Sequence, residues 1–470
     1  MLFNFLHYQK NIAIITEQGN AITYKQLDSC CDNFVKNIEK RSLILFLCGN
    51  DLGSLIGYVA AIKHQHVPLM LDENIDVNQL YDYISRYQPD LVYLPYSRHS
   101  EIDGELLLIE QNYALMRVGS NRINMHKNLA LLLTTSGSTG SPKCVRQSYT
   151  NISANTDAII NYLSITASEI AITSLPMHYT YGLSIINTHL CAGASIVLTK
   201  TTIMQREFWL KMMVHNVTSL SGVPFTYAML KKLRFMRMIL PTLKTLTQAG
   251  GKLSPELHRE FAEYAQSSQK SFIAMYGAAE ATARMSYLPA DKAIDKCGSI
   301  GVPIPGGKFV IVNEHGKEID QPNKIGELVY FGDNVVLGYA ENGTDLEKGD
   351  VFKGCLYSGD MVQRDSEGYY YVVGRKKRFL KVFGNRIGLD EVEIKLRDTF
   401  PDLDCACNGV DDMMYIFITD ETMSAQVKSY LVQQTRLNHT AFKIVILSHI
   451  PKNSAGKTLY SQLESYYDAI

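Results

Sequence analysis

Thr134 to Lys143, TTSGSTGSPK, sets hydroxyls, glycines and a lysine directly after an apolar run, Leu129 to Leu133. The run predicts a short buried strand, and the hydroxyl-rich break after it predicts a loop. Gly137 and Gly140 let backbone N–H groups turn toward an anion. Thr135, Ser136, Ser138 and Thr139 add hydroxyl donors, and Lys143 adds a point charge. That is the chemistry of phosphate binding. A flexible surface linker is the plain alternative, yet linkers rarely follow a buried strand at once and end in Pro-Lys. A Walker-type loop fits less well. It needs lysine directly after the second of two glycines flanking four residues, whereas Pro142-Lys143 here follows Gly137 and Gly140.

Such a loop needs a rigid frame. Residues 1–130 alternate helix-like and strand-like stretches: a helix from Ile22-Leu27 through Ile38, a strand at Leu43–Leu47, a helix at Leu52–His64, then strands at Val67–Leu71 and Leu91–Leu94. Beyond the loop, a helix-like segment follows and the pattern repeats to about residue 300, with strands expected at Ile170–Leu175 and Leu243–Thr247. Repeated β–α–β alternation implies a mostly parallel sheet with helices on both faces. From Cys297 to Gly374 the texture becomes short alternating segments punctuated by Pro303, Pro305, Gly306 and Gly307, which predicts a small β-barrel or sandwich.

At 470 residues with 46% hydrophobic content, the chain divides into several packed units. Its 46 Lys+Arg against 47 Asp+Glu leave a net charge of -1, so the overall field favours neither nucleic acid nor a membrane surface. Nine scattered cysteines without CxxC spacing read as reduced thiols rather than zinc ligands. No basic leader precedes the first apolar residues, and no apolar run approaches the ~20 residues of a membrane span. A cytoplasmic protein, without membrane insertion, is expected.

The order Gly137, Gly140, Pro142-Lys143 resembles the phosphate loop of the acyl-adenylating superfamily, T-S-G-T/S-T-G-x-P-K-G: acyl-CoA synthetases, adenylation domains of non-ribosomal peptide synthetases, and luciferases. The chain departs from it at Cys144, where glycine is usual. Further landmarks follow in order along essentially the whole chain. Pro176-Met177-His178 with Gly182 resembles a segment lining the acyl pocket, although a hydrogen-bonded, partly buried histidine explains His178 equally well. Gln248-Ala249-Gly250-Gly251-Lys252 resembles the adenine-binding turn, with a plain strand-to-helix loop nearly as good an account. Tyr276-Gly277-Ala278-Ala279-Glu280 resembles Y-G-x-T-E, in which the tyrosine stacks on adenine and the glutamate helps hold Mg²⁺. An aromatic face and a carboxylate suit those tasks. Ala279 stands where threonine would meet the α-phosphate, with Thr282 as a candidate substitute. Asp360 in Tyr357-Ser358-Gly359-Asp360 and Arg375 match the ribose and phosphate ligands. Lys457 in Pro451 to Lys457 matches the lysine that bridges the attacking carboxylate and the α-phosphate, with Tyr460 replacing a frequent arginine.

Arg375, Lys376, Lys377, Arg378, Lys381 and Arg386 form the densest charge cluster. Alone it would read as a solvated face. In the family's context it spans the hinge, with Lys377 at the hinge position. The resemblance implies an α/β fold: a large N-terminal domain, 1–374, of two doubly wound subdomains (1–170 and 171–296) plus a small β-barrel (297–374). A hinge at 375–377 and a small mobile α+β C-terminal domain, 378–470, would follow. It implies an AMP-forming ligase that activates a carboxylic acid with ATP and Mg²⁺ and transfers the acyl group to CoA. Loading of an acyl or peptidyl carrier protein through its phosphopantetheine is the enzymatic alternative. A degenerate nucleotide-binding regulatory protein is the non-enzymatic one. The absence of Asp between Ile170 and Lys200 disfavours an α-amino acid, whose ammonium would lack a carboxylate.

Overall fold

The computed structural model describes residues 2–119, 123–134, 143–376, 378–383, 385–410, 412–435, 437–452 and 458–467. Thr135, Ser136, Gly137, Ser138, Thr139, Gly140, Lys377 and Lys457 therefore lie outside the described residues.

Packing divides the chain into two units, one built from residues up to 308 together with 331–356, the other mainly from 309–330 and 357 onward. The first unit holds two large sheets. In the eight-stranded sheet, Leu129–Thr134, Val67–Asp72, Leu43–Cys48 and Leu91–Pro95 run parallel at the centre. The sequence LILFLC of the Leu43 strand is buried at every position, as befits a strand covered on both faces. In the nine-stranded sheet the parallel core runs from Ser271–Tyr276 through Thr245–Gln248, Ser219–Gly222, Ile170–Ile172 and Ser195–Val197 to Ile12–Ile15. The hairpin at residues 12–23 thus joins the second sheet although it opens the chain.

Helix Leu52–Lys63 is apolar on every side and buried from Gly53 to Ile62. Asp51 caps its start, its side chain accepting from the Ser54 N–H. It packs in the core cluster that also takes Phe46 and Tyr93 from the first sheet and Ile14 and Ile196 from the second. Tyr58 donates from this helix to Asn187 of helix Thr180–Cys191 at 2.9 Å.

After the loop the chain first forms a strand, Cys144–Ser148, antiparallel to Leu129–Thr134, and only then helix Tyr149–Leu163. Ser148 ends the strand and caps the helix in a capping box with Asn151. The loop therefore closes a β-hairpin at the edge of the parallel strands.

The second unit contains a four-stranded sheet, Lys308–Val312, Gly326–Phe331, Cys355–Arg364 and Tyr370–Arg375. It also holds an α+β part, in which Cys405–Val410, Met413–Ile418 and Phe442–Ile446 form a sheet packed with helices Leu389–Thr399 and Ser424–Thr435. No helix among the described residues is long and apolar enough to cross a membrane. All nine cysteines are free.

Candidate active site

Strand Ser271–Tyr276 ends on Tyr276, and the chain turns through a short 3-10 helix, Ala279–Ala281, that carries Glu280. Gly277 is required by close approach: a Cβ there would sit 1.9 Å from the Ala283 carbonyl oxygen. The turn is pinned by Asn334, whose Nδ2 donates to the carbonyls of Ala281 and Arg284, and by Asn155, which meets the Arg284 backbone. Thr282 holds φ +63, a rare conformation for a β-branched residue. Its hydroxyl donates to the Asn334 carbonyl at 2.7 Å, so its proton is committed to the fold and does not replace the hydroxyl absent at Ala279. Ala279 packs against the main apolar cluster.

Glu280 accepts a hydrogen bond from Tyr339 at 2.8 Å, and Lys143 lies over the Tyr339 ring, its Nζ 3.6 Å from the centroid. Burial, with the Glu280 charge beside it, pushes the Tyr339 phenol above its ordinary range. Tyr339 thereby joins Lys143 to the carboxylate four residues after Tyr276. The strand pairing that sets this geometry is Tyr339–Ala340 against Val145–Cys144. Cys144 itself is fully buried in that strand, within an apolar cluster. Burial pushes its thiol up to about 12. The residue that departs from the family's glycine thus serves the core.

At the carboxyl ends of the parallel strands of the second sheet lie the glycine turn and His178. Gly250 has φ +85, and a Cβ there would come within 2.7 Å of the Tyr179 hydroxyl. Gly251 faces Pro224. His178 sits in the loop after strand Ile170–Ile172, a loop held by Asn50 through the Leu175 carbonyl and the Met177 N–H. Its Nε2 is 3.8 Å from Asp72, and its Nδ1 is buried without a hydrogen-bond partner. Burial lowers its pKa, more than Asp72, the Cys48 carbonyl and Glu73 raise it. A neutral imidazole at neutral pH follows. His178 neighbours Asp72 rather than the Lys143–Tyr339–Glu280 group.

Arg284 carries a signal that sequence reasoning missed. It is 3% exposed, its guanidinium lies 3.9 Å over the Tyr181 ring, and its Nε donates to the Met275 sulfur at 3.3 Å. No carboxylate among the described residues pairs with it. A desolvated cation–π contact returns about 2 kcal/mol, against several for taking an ion out of water. The only clue in sequence is one charge amid Ala281-Thr282-Ala283-Arg284-Met285.

In the second unit Asp360 and Arg375 face each other across the antiparallel pair, Nε to Oδ1 at 3.0 Å. Gly359 before Asp360 has φ +71, and the Asp360 N–H donates to Ser358 Oγ. Lys376 pairs with Glu327 at 2.6 Å. Arg378 meets Asp390 and the buried Glu393. Arg375, Lys376 and Arg378 are thus each matched to a carboxylate, unlike the free cations of a nucleic-acid patch. Glu393 also binds Arg397, the Cys407 N–H and the Tyr460 hydroxyl. Tyr460 lies under Arg378, 3.5 Å from its ring centroid to Cζ. The tyrosine that replaces the family's arginine completes this buried network.

Among the described residues no group of three or more His, Cys, Asp or Glu side chains could hold a metal alone. A lone carboxylate such as Glu280 fits Mg²⁺, which usually keeps waters and substrate phosphates as its other ligands.

Solved structures share this fold. The ATP-bound MatB of Rhodopseudomonas palustris is 22% identical, covers 100% of this chain and 98% of its own, and superposes with a TM-score of 0.81. The O-succinylbenzoate coenzyme A synthetase of Bacillus subtilis, in complex with AMP, is 20% identical over 98% and 97% of the two chains, with a TM-score of 0.81. The oxalate–CoA ligase of Arabidopsis thaliana is 28% identical over 75% of this chain and 70% of its own. The family model of the AMP-binding enzymes matches residues 5–340. The chain belongs to that family, and it is an ATP-dependent, AMP-forming acyl ligase.

Proposed function

We propose that this protein joins a small or medium organic, aryl or fatty acid to coenzyme A. A carboxylate oxygen of the acid attacks the α-phosphorus of ATP, the bond to the β-phosphate breaks, and pyrophosphate leaves. The CoA thiol then attacks the acyl carbon, losing its proton, and AMP leaves. Because carboxylate and triphosphate repel, the site must neutralise charge and hold the two in line. The observation that carries this reading is the Lys143–Tyr339–Glu280 chain, which sets a cation and a carboxylate at the foot of the phosphate loop. Glu280 would hold Mg²⁺, which supplies charge neutralisation on the phosphates. Lys143 and the loop residues 135–140 would bind the β- and γ-phosphates. Tyr276, Gly250 and Gly251 would take the adenine, and Asp360 with Arg375 the ribose. His178 would line the acyl pocket as a neutral group. Lys457, by resemblance, would steady the attacking carboxylate, and Lys377 would be the hinge about which residues 378–470 turn between the two half-reactions.

An acid panel measures both points. Pyrophosphate release from ATP should depend on acid, and thioester should form with CoA. Thioester with a carrier protein alone would move the acceptor to phosphopantetheine, and release independent of acid would contradict the reading.

A further inference from the structure

Among the described residues of the first unit two arginines are buried, and neither has a carboxylate partner there. Arg146 is 0% exposed, yet it is satisfied: its guanidinium donates to the main-chain carbonyls of Leu337, Tyr339, Lys348 and Gly349. That cage fixes the segment that presents Tyr339, and the charge is consumed by the fold. Arg284 is buried nearly as deeply, and its side chain leans on neutral groups: its Nε donates to a thioether, its guanidinium lies on the Tyr181 face, and the Tyr162 hydroxyl is beside it. Met275 already accepts from the Tyr162 hydroxyl at 3.0 Å. A thioether is a weak acceptor, and a cation–π contact recovers only part of what hydration gave the ion. The fold has spent no carbonyl or carboxylate on this charge.

Its position says what would. Arg284 follows Glu280 by four residues, and Met275, on which it leans, precedes Tyr276. Tyr181, beneath it, is the second residue of the helix that begins two residues after His178. Around them Val223, Ala249 and Met275 come from the carboxyl ends of three adjacent parallel strands, with Leu175 and Tyr179 from the His178 loop. Ligands of open α/β sheets bind at those ends. An apolar, aromatic cluster with a single buried cation suits an apolar body that ends in an anion.

We propose that Arg284 is a specificity-determining residue that receives a second, remote carboxylate of the acid, so that the acids activated here are dicarboxylates. This rests on the acid-activating reading above. One carboxylate is adenylated while the other pairs with the guanidinium, whose planar fork matches it. A monoacid of the same length would leave the cation buried and unpaired, and a site built around a polar partner rejects analogues that lack it.

The test uses the full chain with matched pairs: succinate and butanoate, adipate and hexanoate, terephthalate and benzoate. Acid-dependent pyrophosphate release should favour the diacid of at least one pair by about a hundredfold or more in kcat/KM. Arg284→Met keeps length and removes charge, and should lose that diacid's turnover while keeping or gaining the monoacid's. In the absence of ATP, the favoured diacid should raise the Tm of the unsubstituted protein and not that of Arg284→Met. Equal or better turnover of monoacids by the unsubstituted protein would overturn the assignment and leave acid activation standing. Equal loss of both classes in Arg284→Met, with a lower Tm, would make the arginine structural and also overturn it. No pyrophosphate release and no diacid-induced Tm shift in the unsubstituted protein would remove the acid-activating reading itself, and this inference with it.

Discussion

The candidate site groups of the two units differ in the partners of their charges. In the second, cations meet carboxylates of the protein: Asp360 with Arg375, Lys376 with Glu327, and Arg378 with Asp390 and Glu393. In the first, several candidate site groups have an aromatic or neutral neighbour. Glu280 is held by a phenol, Lys143 lies on that phenol's ring, Arg284 lies on another, and His178 keeps a buried nitrogen without a partner. Ion pairs made within the protein fix side chains and shape before any ligand arrives. Charges left to aromatic and neutral partners keep their strongest interaction for a ligand, at a cost in folding stability.

The contrast breaks most visibly at Glu393, whose carboxylate is 4% exposed and serves two arginines, a phenol and a backbone N–H. The charges of Glu393, Tyr460 and Asp390 raise the Arg378 pKa, although burial opposes them most strongly. Glu393→Gln should cost about 3–5 kcal/mol of stability, because it removes the buried charge that the buried Arg378 and the half-exposed Arg397 share. Denaturant unfolding reads this, and a loss below about 1 kcal/mol would show the network to be ornamental.

Glu280→Gln should do the reverse, sparing stability and lowering the adenylation rate by about 3–4 kcal/mol, the scale of one preorganised electrostatic group. The amide oxygen still accepts from Tyr339, so the Tm should hold while pyrophosphate release falls by hundreds-fold or more. A matching fall in Tm would mean that Glu280 holds the turn rather than the reaction.

A buried histidine gives the first unit a pH signature. Burial lowers the His66 pKa to about 4, with His64 and Arg41 adding to it, and its Nδ1 accepts from the Ser42 N–H. Below pH 6.5 the unfolded chain takes up a proton that the folded chain refuses. Stability is therefore fully present above 6.5 and falls as pH drops toward 4, by about 3 kcal/mol for this group. Urea midpoints across pH 4–7 measure the slope, and His66→Asn should flatten it.

The smallest effect expected is Asp360→Asn. Losing a charged hydrogen-bond acceptor should weaken ATP binding by about 2 kcal/mol, seen as a raised KM for ATP. Stability should change by less than about 1 kcal/mol, since the Arg375 side chain is 66% exposed.

Much of this was legible in sequence because the pattern was periodic or the motif carried its own mechanism. The strands at residues 43, 67, 91 and 129 stand within a residue or two of their expected bounds, since apolar runs between turn residues leave little choice. Glu280 and Lys143 were legible as chemistry. Their meeting at Tyr339 was not, because a pairing some two hundred residues apart leaves no local trace. The segment after the phosphate loop reads as helical from its later residues, but Cys144–Ser148 is taken as a strand by pairing on both sides. The hairpin at residues 12–23 joins the second sheet for the same nonlocal reason. Arg284 stayed hidden because a lone arginine in an apolar run usually snorkels to solvent, and only burial shows that this one does not.

The measurement closest to the centre of this account is the identity of the nucleotide products. Incubated with ATP, Mg²⁺, CoA and an accepted acid, the protein should yield AMP and pyrophosphate in equal amounts with the acyl thioester, and neither product should form without the acid. ADP and inorganic phosphate in their place, or AMP released without any acid, would contradict it.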